Sequence, residues 1–292
     1  MTKIHSRFVE VDGINTHYLE AGPAGAPTVA LLHSGEFGGC AEISWEFTIP
    51  ALAEHFRVIA PDWLGFGRTD KVYDFADARG RVFRHMARFF EVVGVDEADF
   101  IGNSMGGSNL ARIVCEPPPI LPVRSAVLCS GGGFTPLTEE RKTLLAYDGT
   151  DAAMRALLHA MLHDPKWGDD AGYVARRQEI ALLPGAFECA SAPRLKRPEP
   201  EKKATDAKGA QSAQSFGTPD TNDYEKIAVP VLVIAGANDP LREPGYSAKL
   251  AARIADCEHH VYEDCGHCPN IEQADRFNAH AIDFLKRVHA RA

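Results

Sequence analysis

Residues 102–107 read Gly-Asn-Ser-Met-Gly-Gly, and this stretch decides the fold class. Residues 97–101 precede it and predict a short buried strand, while residues 108–114 follow it and predict the start of a helix. A Gly-x-Ser-x-Gly sequence between a strand and a helix is typical of a nucleophile elbow, a sharp turn that projects the serine hydroxyl above the sheet. The small residues let the strand and the helix approach closely, and the N–H of Met105 lies at the helix N-terminus, where negative charge is favoured.

The composition is that of an acidic globular protein. The chain has 292 residues, 45% of them hydrophobic, so it can bury a large core in one large domain or two small ones. Its formal net charge of −9 argues against nucleic acid and against an anionic membrane as partners. No apolar run is long enough for a transmembrane helix and the N-terminus lacks a signal-peptide stretch, so a cytoplasmic location is expected. The seven cysteines are therefore expected to be free thiols.

Continuous apolar strands alternate with helices along most of the chain. A leading hairpin is predicted around Asp12-Gly13, since residues 6–11 and 14–20 alternate in polarity. Strands that are apolar throughout and alternate with helices predict a parallel sheet covered on both faces. The pattern therefore predicts an α/β-hydrolase fold, a mostly parallel central sheet with helices on both faces and an inserted helical cap. Further strands are predicted at 29–32, 57–60, 97–101, 125–128, 229–235 and 259–262, and helices at 47–55, 79–93 and 274–288.

Residues 133–222 interrupt this alternation and predict a cap inserted over the active site. Helices are predicted at 152–163 and 170–182. The stretch from about 193 to 222 is rich in Pro, Lys, Ala, Ser and Gln and is expected to be a mobile loop. The α/β-hydrolase core then consists of residues 1–132 and 223–292.

Ser104 needs a base to become a nucleophile, and that base needs a carboxylate to orient it. In this fold the acid follows the serine in the chain and the histidine comes last. Asp239 and His267 meet that order, because each lies in a loop directly after a predicted strand, at the sheet edge where ligands bind. We therefore predict Ser104 as nucleophile, His267 as base and Asp239 as acid. The competing acids, which end a strand or lie nearby in sequence, are Asp62, Asp264, Glu263 and Glu243.

Two backbone N–H groups are needed for an oxyanion hole. Met105 is predicted to supply one, and Gly35, in the glycine-rich loop 33–39, is predicted to supply the other. His33 is expected to hold that loop in place.

Residues 265–268, Cys-Gly-His-Cys, form a C-x-x-C sequence. A redox C-x-x-C follows the first strand of a thioredoxin unit, whereas this one follows the last strand of a large sheet. No second Cys or His pair stands at a spacing that would complete a zinc site. Neither a metal nor an organic cofactor is expected.

The chain resembles the α/β-hydrolases and, more narrowly, the meta-cleavage-product hydrolases, which cut carbon–carbon bonds in ring-opened aromatic compounds. The resemblance covers most of the chain except about 194–222. In the cap, residues 162–164 and 175–176 match the region that gives the family an arginine for the substrate's carboxylate. The other stretches that carry the resemblance are the elbow, residues 57–67 (Arg-Val-Ile-Ala-Pro-Asp-Trp-Leu-Gly-Phe-Gly) and residues 265–267 with 271–275 and 277–278.

The resemblance implies a vinylogous 1,5-diketone as substrate, of the 2-hydroxy-6-oxo-dienoate type. The enol must first become its keto tautomer, with His267 carrying the proton, before the serine attacks the remote ketone. Arg176 is implied as the carboxylate anchor, although the adjacent Arg177 could face inward instead. Asn103 is implied to polarise the dienol end.

The chain departs from the family at several positions of the site. Ser34 follows the loop histidine where the family has Gly, and Cys268 follows His267 where the family has Trp; both are counted among the predicted substrate-binding residues. Glu36 and Glu42 add negative charge near a site that the resemblance expects to bind a carboxylate.

Three hypotheses about the function remain open. A carbon–carbon bond hydrolase is favoured, a carboxylesterase or lactonase on a small ester is the alternative, and a non-catalytic ligand receptor is the remote one. Substitution of the predicted anchor, Arg176→Ala, should separate the first two. A haloalkane dehalogenase is excluded, because the elbow residue is Ser rather than Asp. The expected partner is a small-molecule substrate, and the resemblance also allows a homo-oligomer such as a dimer.

Overall fold

The computed structural model describes residues 3–195, 216–217 and 219–291. Within them, one sheet of eight strands has the spatial order β1-β2-β4-β3-β5-β6-β7-β8. The pairs β1–β2 and β2–β4 are antiparallel, and all later pairs are parallel. The predicted leading hairpin and mostly parallel sheet are thus confirmed. The strands are β1 (His5–Val11), β2 (Ile14–Ala21), β3 (Thr28–Leu32), β4 (Arg57–Pro61), β5 (Ala98–Asn103), β6 (Val123–Cys129), β7 (Val231–Gly236) and β8 (Cys257–Tyr262).

Helices cover both faces of this sheet, as predicted. They are α1 (Ala41–Ser44), α2 (Thr48–Leu52), α3 (Ala78–Val92), α4 (Met105–Val114), α5 (Glu139–Leu145), α6 (Asp151–His159), α7 (Lys166–Asp169), α8 (Ala171–Ala181), α9 (Ala186–Ser191), α10 (Tyr246–Ala251), α11 (Pro269–Glu272) and α12 (Ala274–Arg291). In the described part of the chain, no helix has the length and apolar character needed to cross a membrane.

The alternation of side chains along each strand explains why the strands are apolar throughout. In β3, Ala30 and Leu32 pack in the cluster with α3 and α4, whereas Val29 and Leu31 pack in the cluster with α2 and α12. Both faces therefore need apolar residues, and neither shows the polar alternation of a half-exposed strand.

A third cluster joins α5–α9, which lie between β6 and β7, to the loops at the carboxyl edge of the sheet. Phe37 and Leu241 of those loops, together with Ile271 of α11, pack with apolar residues of α6 and α8. The cap bounds at 133 and 222 remain a prediction. The segment predicted as a mobile loop falls mostly on residues 196–215 and 218, outside the described residues, and its described start includes a 3-10 turn at Ala192–Arg194.

Two predicted helices are shorter in the structure. The helix predicted at 152–163 ends at His159. Shortly after it, the Met161 carbonyl accepts a hydrogen bond from the His267 N–H at 3.0 Å instead of a helical one. The helix predicted at 47–55 spans only Thr48–Leu52 and then turns into β4. At the end of α2 the N–H groups of His55 and Phe56 both donate to the Leu52 carbonyl, which closes the helix with a turn.

Candidate active site

The elbow places Ser104 between β5 and α4 in a conformation that few residues adopt. Its φ of 53° and ψ of −111° lie outside the favoured regions for a side-chain-bearing residue. The flanking glycines are needed for steric reasons. A Cβ on Gly102 would lie 2.5 Å from the Gly106 carbonyl carbon, and a Cβ on Gly106 would overlap the carbonyl oxygen of Leu32.

Ser104, His267 and Asp239 form a continuous chain of hydrogen bonds. The Ser104 Oγ lies 2.7 Å from His267 Nε2, and His267 Nδ1 lies 2.7 Å from Asp239 Oδ2. Because the carboxylate accepts from Nδ1–H, Nε2 is free to accept the serine proton. The Leu241 N–H donates to Asp239 Oδ1 at 2.9 Å. Burial alone would raise the pKa of Asp239, but the interactions with His267, together with the charge of Arg242, bring it below its usual value.

Asp62, the competing acid at the end of β4, belongs to a different network. Its Oδ2 lies 2.7 Å from His17 Nδ1, and its Oδ1 accepts from the Ala41 N–H at 2.8 Å. Asp62 therefore braces the loop between β3 and α1, while Asp239 is the acid on His267.

His33 holds the glycine-rich loop as a neutral imidazole. Its Nδ1–H donates to the Ser34 carbonyl at 2.6 Å, and its Nε2 accepts from the Trp63 N–H at 2.9 Å. Burial lowers its pKa, which agrees with this neutral form. The next residue, Gly35, packs so tightly on Met105 that a Cβ at position 35 would lie 2.5 Å from Met105 Sδ. The two predicted oxyanion residues thus face the same cavity as the elbow serine.

A buried ion pair joins this loop to α8. The Glu36 Oε1 lies 2.7 Å from Arg177 Nη1, and Arg177 Nη2 donates to the Tyr173 hydroxyl at 2.9 Å. The Arg177 side chain is wholly buried, and 3% of that of Glu36 is exposed. Burial alone would raise the pKa of Glu36, but the guanidinium holds it below its usual value. The loop carboxylate therefore neutralises the arginine on this wall of the cap.

Arg176, the predicted carboxylate anchor, lies outside the cavity, and this prediction is corrected by the structure. Its side chain is 53% exposed and pairs with Glu46 at 2.9 Å. The reason is helical geometry, since Tyr173 and Arg177 are four residues apart on the buried face of α8, which turns position 176 toward solvent.

The other predicted substrate-binding residues, Asn103, Ser34 and Cys268, lie behind the cavity wall. Each is at most 1% exposed, and none of them lines the cavity. The Asn103 amide is 3.5 Å from the His267 carbonyl, Cys268 Sγ is 3.8 Å from Asn103 Oδ1, and Ser34 Oγ is 3.1 Å from the Ser44 hydroxyl. In this structure these side chains contact residues beneath the cavity and are absent from its lining.

The C-x-x-C cysteines, Cys265 and Cys268, are free and buried. Burial raises the pKa of both thiols above their ordinary value. A neutral, buried thiol is a poor nucleophile and a poor metal ligand. In the described part of the chain, no group of three or more His, Cys, Asp or Glu residues is arranged to hold a metal ion.

A cavity of about 150 Å³ opens above Ser104 and is lined by both core and cap. Sequence reasoning missed its most distinctive side chains, which are arginines. One of them could have been found from spacing, because Arg112 is seven residues after Met105 and so shares its face of α4. The arginines of the lining are Arg79, Arg112, Arg141, Arg194 and Arg242.

The comparison with known proteins identifies the family. The protein-family model described as "Alpha/beta hydrolase family" matches residues 29–280 of the sequence. The chain belongs to the alpha/beta hydrolase family. The predicted fold class is thereby confirmed, and the chain is an enzyme of this family.

This alpha/beta hydrolase also has similar curated relatives. It is 31% identical over 284 residues to the 2-hydroxy-6-oxo-6-(2'-aminophenyl)hexa-2,4-dienoic acid hydrolase of Metapseudomonas resinovorans, covering 96% of this chain and 91% of the relative. It is 31% identical over 281 residues to the 2-hydroxymuconate semialdehyde hydrolase of Pseudomonas sp. (strain CF600), covering 96% and 93%.

A solved structure of a meta-cleavage product hydrolase is also similar to this alpha/beta hydrolase. The meta-cleavage product hydrolase from Pseudomonas fluorescens IP01 superimposes with a TM-score of 0.81 at 26% identity, covering 96% of this chain and 97% of that one. The resemblance to meta-cleavage-product hydrolases that the sequence predicts is therefore confirmed.

Proposed function

We propose that this chain is a serine-dependent hydrolase that cleaves a carbon–carbon bond in a 2-hydroxy-6-oxo-dienoate-type meta-cleavage product or a related diketone. The observation that carries the proposal is the hydrogen-bonded chain from Ser104 through His267 to Asp239, which opens into the arginine-lined cavity. The named activities of the relatives at 31% identity supply the substrate class.

The chemistry begins with ketonisation, in which His267 carries the proton that converts the dienol into its keto tautomer. The Ser104 Oγ then bonds to the remote ketone carbon, its proton passes to His267 Nε2, and the N–H groups of Met105 and Gly35 stabilise the oxyanion. The carbon–carbon bond breaks as its electron pair moves into the keto system, which takes up the proton from His267. Water, deprotonated by the same imidazole, then hydrolyses the acyl-enzyme.

Hydrolysis of a small ester or a lactone is the second candidate. One observation favours it, namely that Arg176 and Arg177 are paired with Glu46 and Glu36, so neither is free at the position where the resemblance implied a carboxylate anchor. The same serine and histidine would serve, and no electron sink in the substrate would be needed.

The test is stopped-flow bleaching of 2-hydroxy-6-oxo-6-phenylhexa-2,4-dienoate by the wild type and by Ser104→Ala. Ser247→Ala is a matched control, because its hydroxyl lies 3.0 Å from His259 Nε2 and does not line the cavity. Bleaching that is lost in Ser104→Ala and kept in Ser247→Ala is the expected result.

Two other results would overturn the proposal. Turnover of p-nitrophenyl acetate without bleaching would assign the chain to ester or lactone hydrolysis. Absence of both activities, with Ser104 unreactive toward a fluorophosphonate, would indicate a ligand receptor.

A further inference from the structure

The cavity above Ser104 is cationic, although the whole chain is acidic. Five arginines line it, while the formal net charge of the chain is −9. Among the described residues of the lining, Glu36 is the carboxylate, and Arg177 already neutralises it. A low-dielectric cavity with this lining favours an anionic occupant.

Three of the five arginines already donate to backbone carbonyls. Arg242 holds the loop after β6. Arg141 donates to the Leu241 carbonyl at 2.7 Å, and Arg194 donates to the Leu145 carbonyl. Their hydrogen-bonding capacity is therefore used mainly to hold the loops that surround the cavity.

Arg112 differs from these three. In the described part of the chain it has no hydrogen bond or ion pair with another residue, and it lies on the core wall of the cavity beside Arg79. Burial and then the charge of Arg112 lower the pKa of Arg79 to about 10, while the charges of Glu116 and Asp77 act in the opposite direction. The guanidinium groups of Arg112 and Arg79 are therefore near each other on this wall.

The helix sets the distance from the nucleophile. Met105, Ser108, Asn109 and Arg112 share the face of α4 that lines the cavity. The Cα of Arg112 is two turns, roughly 10 Å, along the axis from Met105. Helical side chains lean toward the N-terminus, which is the direction of Ser104. An anionic group at this guanidinium would therefore be separated from a carbon at Ser104 by a short carbon chain.

We infer that Arg112 binds the anionic group of the substrate on the core wall of the cavity, in place of the cap arginines Arg176 and Arg177. The inference rests on the proposed hydrolase function and adds the residue that binds the acid group of its substrate. Arg176 and Arg177 are excluded from this role because Glu46 and Glu36 pair with them.

The experiment compares mono-p-nitrophenyl adipate with p-nitrophenyl hexanoate, esters that differ by a terminal carboxylate. The ratio of their kcat/KM values should fall about 10- to 100-fold in Arg112→Gln, because a charge-assisted hydrogen bond to the acid is lost. Arg112→Lys should restore part of the ratio. Arg176→Gln is the matched control and should keep the wild-type ratio. The KM for the dienoate substrate should rise in Arg112→Gln as well.

An unchanged ratio in Arg112→Gln, or an equal fall in Arg176→Gln, would overturn the inference, as would a wild type without preference for the acid. The measurements distinguish failure of the Arg112 anion site from failure of the proposed carbon–carbon bond hydrolysis. Bleaching of the dienoate with an unchanged KM in Arg112→Gln would retain the proposed function and reject the anion site. An Arg112-dependent ester ratio without bleaching would retain the anion site and reject carbon–carbon bond cleavage.

Discussion

At the scale of single residues, the carboxylate of Asp239 reaches Ser104 only through the imidazole of His267. Asp239→Asn keeps the shape but favours the wrong tautomer of that imidazole, so we expect kcat to fall about 10³- to 10⁴-fold. The measurement is p-nitrophenyl acetate hydrolysis at saturation. Asp264→Asn is the matched control, because this acid is nearer to His267 in sequence. An equal loss in Asp264→Asn would contradict the assignment.

The positions of these side chains were predictable where the backbone alone decides them. The strand–turn–helix around Ser104 and the loops after β7 and β8 place the serine, the aspartate and the histidine at one edge of the sheet. The contrast between Arg176 and Arg177 was not predictable, because a rotation of α8 by one residue exchanges the buried and exposed positions. The ion pair of Arg177 with Glu36 was not predictable either, because these two residues are far apart in sequence.

At the scale of elements, the elbow depends on the close approach of α4 to β3. We expect Gly106→Ala to destabilise the fold by about 3 kcal/mol or more, since its Cβ would overlap the Leu32 carbonyl and force backbone movement. Urea unfolding checks this. The control is Gly25→Ala, where an added Cβ meets nothing within 4 Å. Equal stability of the two variants would show that the elbow tolerates a side chain at position 106.

The ion pair of Glu36 and Arg177 connects the loop after β3 to the cap helix α8. Glu36→Gln leaves a buried guanidinium without its counter-charge, so we expect a loss of about 3–5 kcal/mol in unfolding free energy. Adding Arg177→Met should recover much of it, because the unpaired charge is then removed. The measurement is a double-mutant cycle by urea unfolding. Additive losses would mean that the two side chains are not coupled.

At the scale of the whole molecule, the sheet was predictable because both of its faces are covered and its strands are apolar throughout. Composition also gave the overall acidity, but it could not indicate that the cavity is cationic. Arginines from α3, α4, the cap and the loop after β7 meet there only after folding. The net charge of the chain thus reflects its outer surface, whereas the charge of the cavity depends on which arginines the fold brings together.

Stability against pH is a second property of the whole molecule, and buried histidines set its first decline. His85 is 4% exposed, its Nε2 lies 2.9 Å from Thr16 Oγ1, and its Nδ1 has no partner among the described residues. Burial, and then the charge of Arg81, lower its pKa to about 4 from 6.5. The unfolded chain therefore takes up this proton first, so the contribution of His85 to stability is complete above pH 6.5 and is lost as the pH falls toward 4.

We expect this group to contribute about 3 kcal/mol to that loss, with His33 adding to it in the same direction. Carboxylates with lowered pKa, such as Glu36 and Asp62, lose their contribution only below about pH 4.5. The loss of unfolding free energy between pH 6.5 and about pH 4.5 is therefore caused by the buried histidines. The slope of unfolding free energy between pH 6.5 and 5 should be smaller in His85→Gln than in the wild type. The exposed His163, changed to Gln, is the control, and an equal decrease in both variants would place the proton uptake elsewhere.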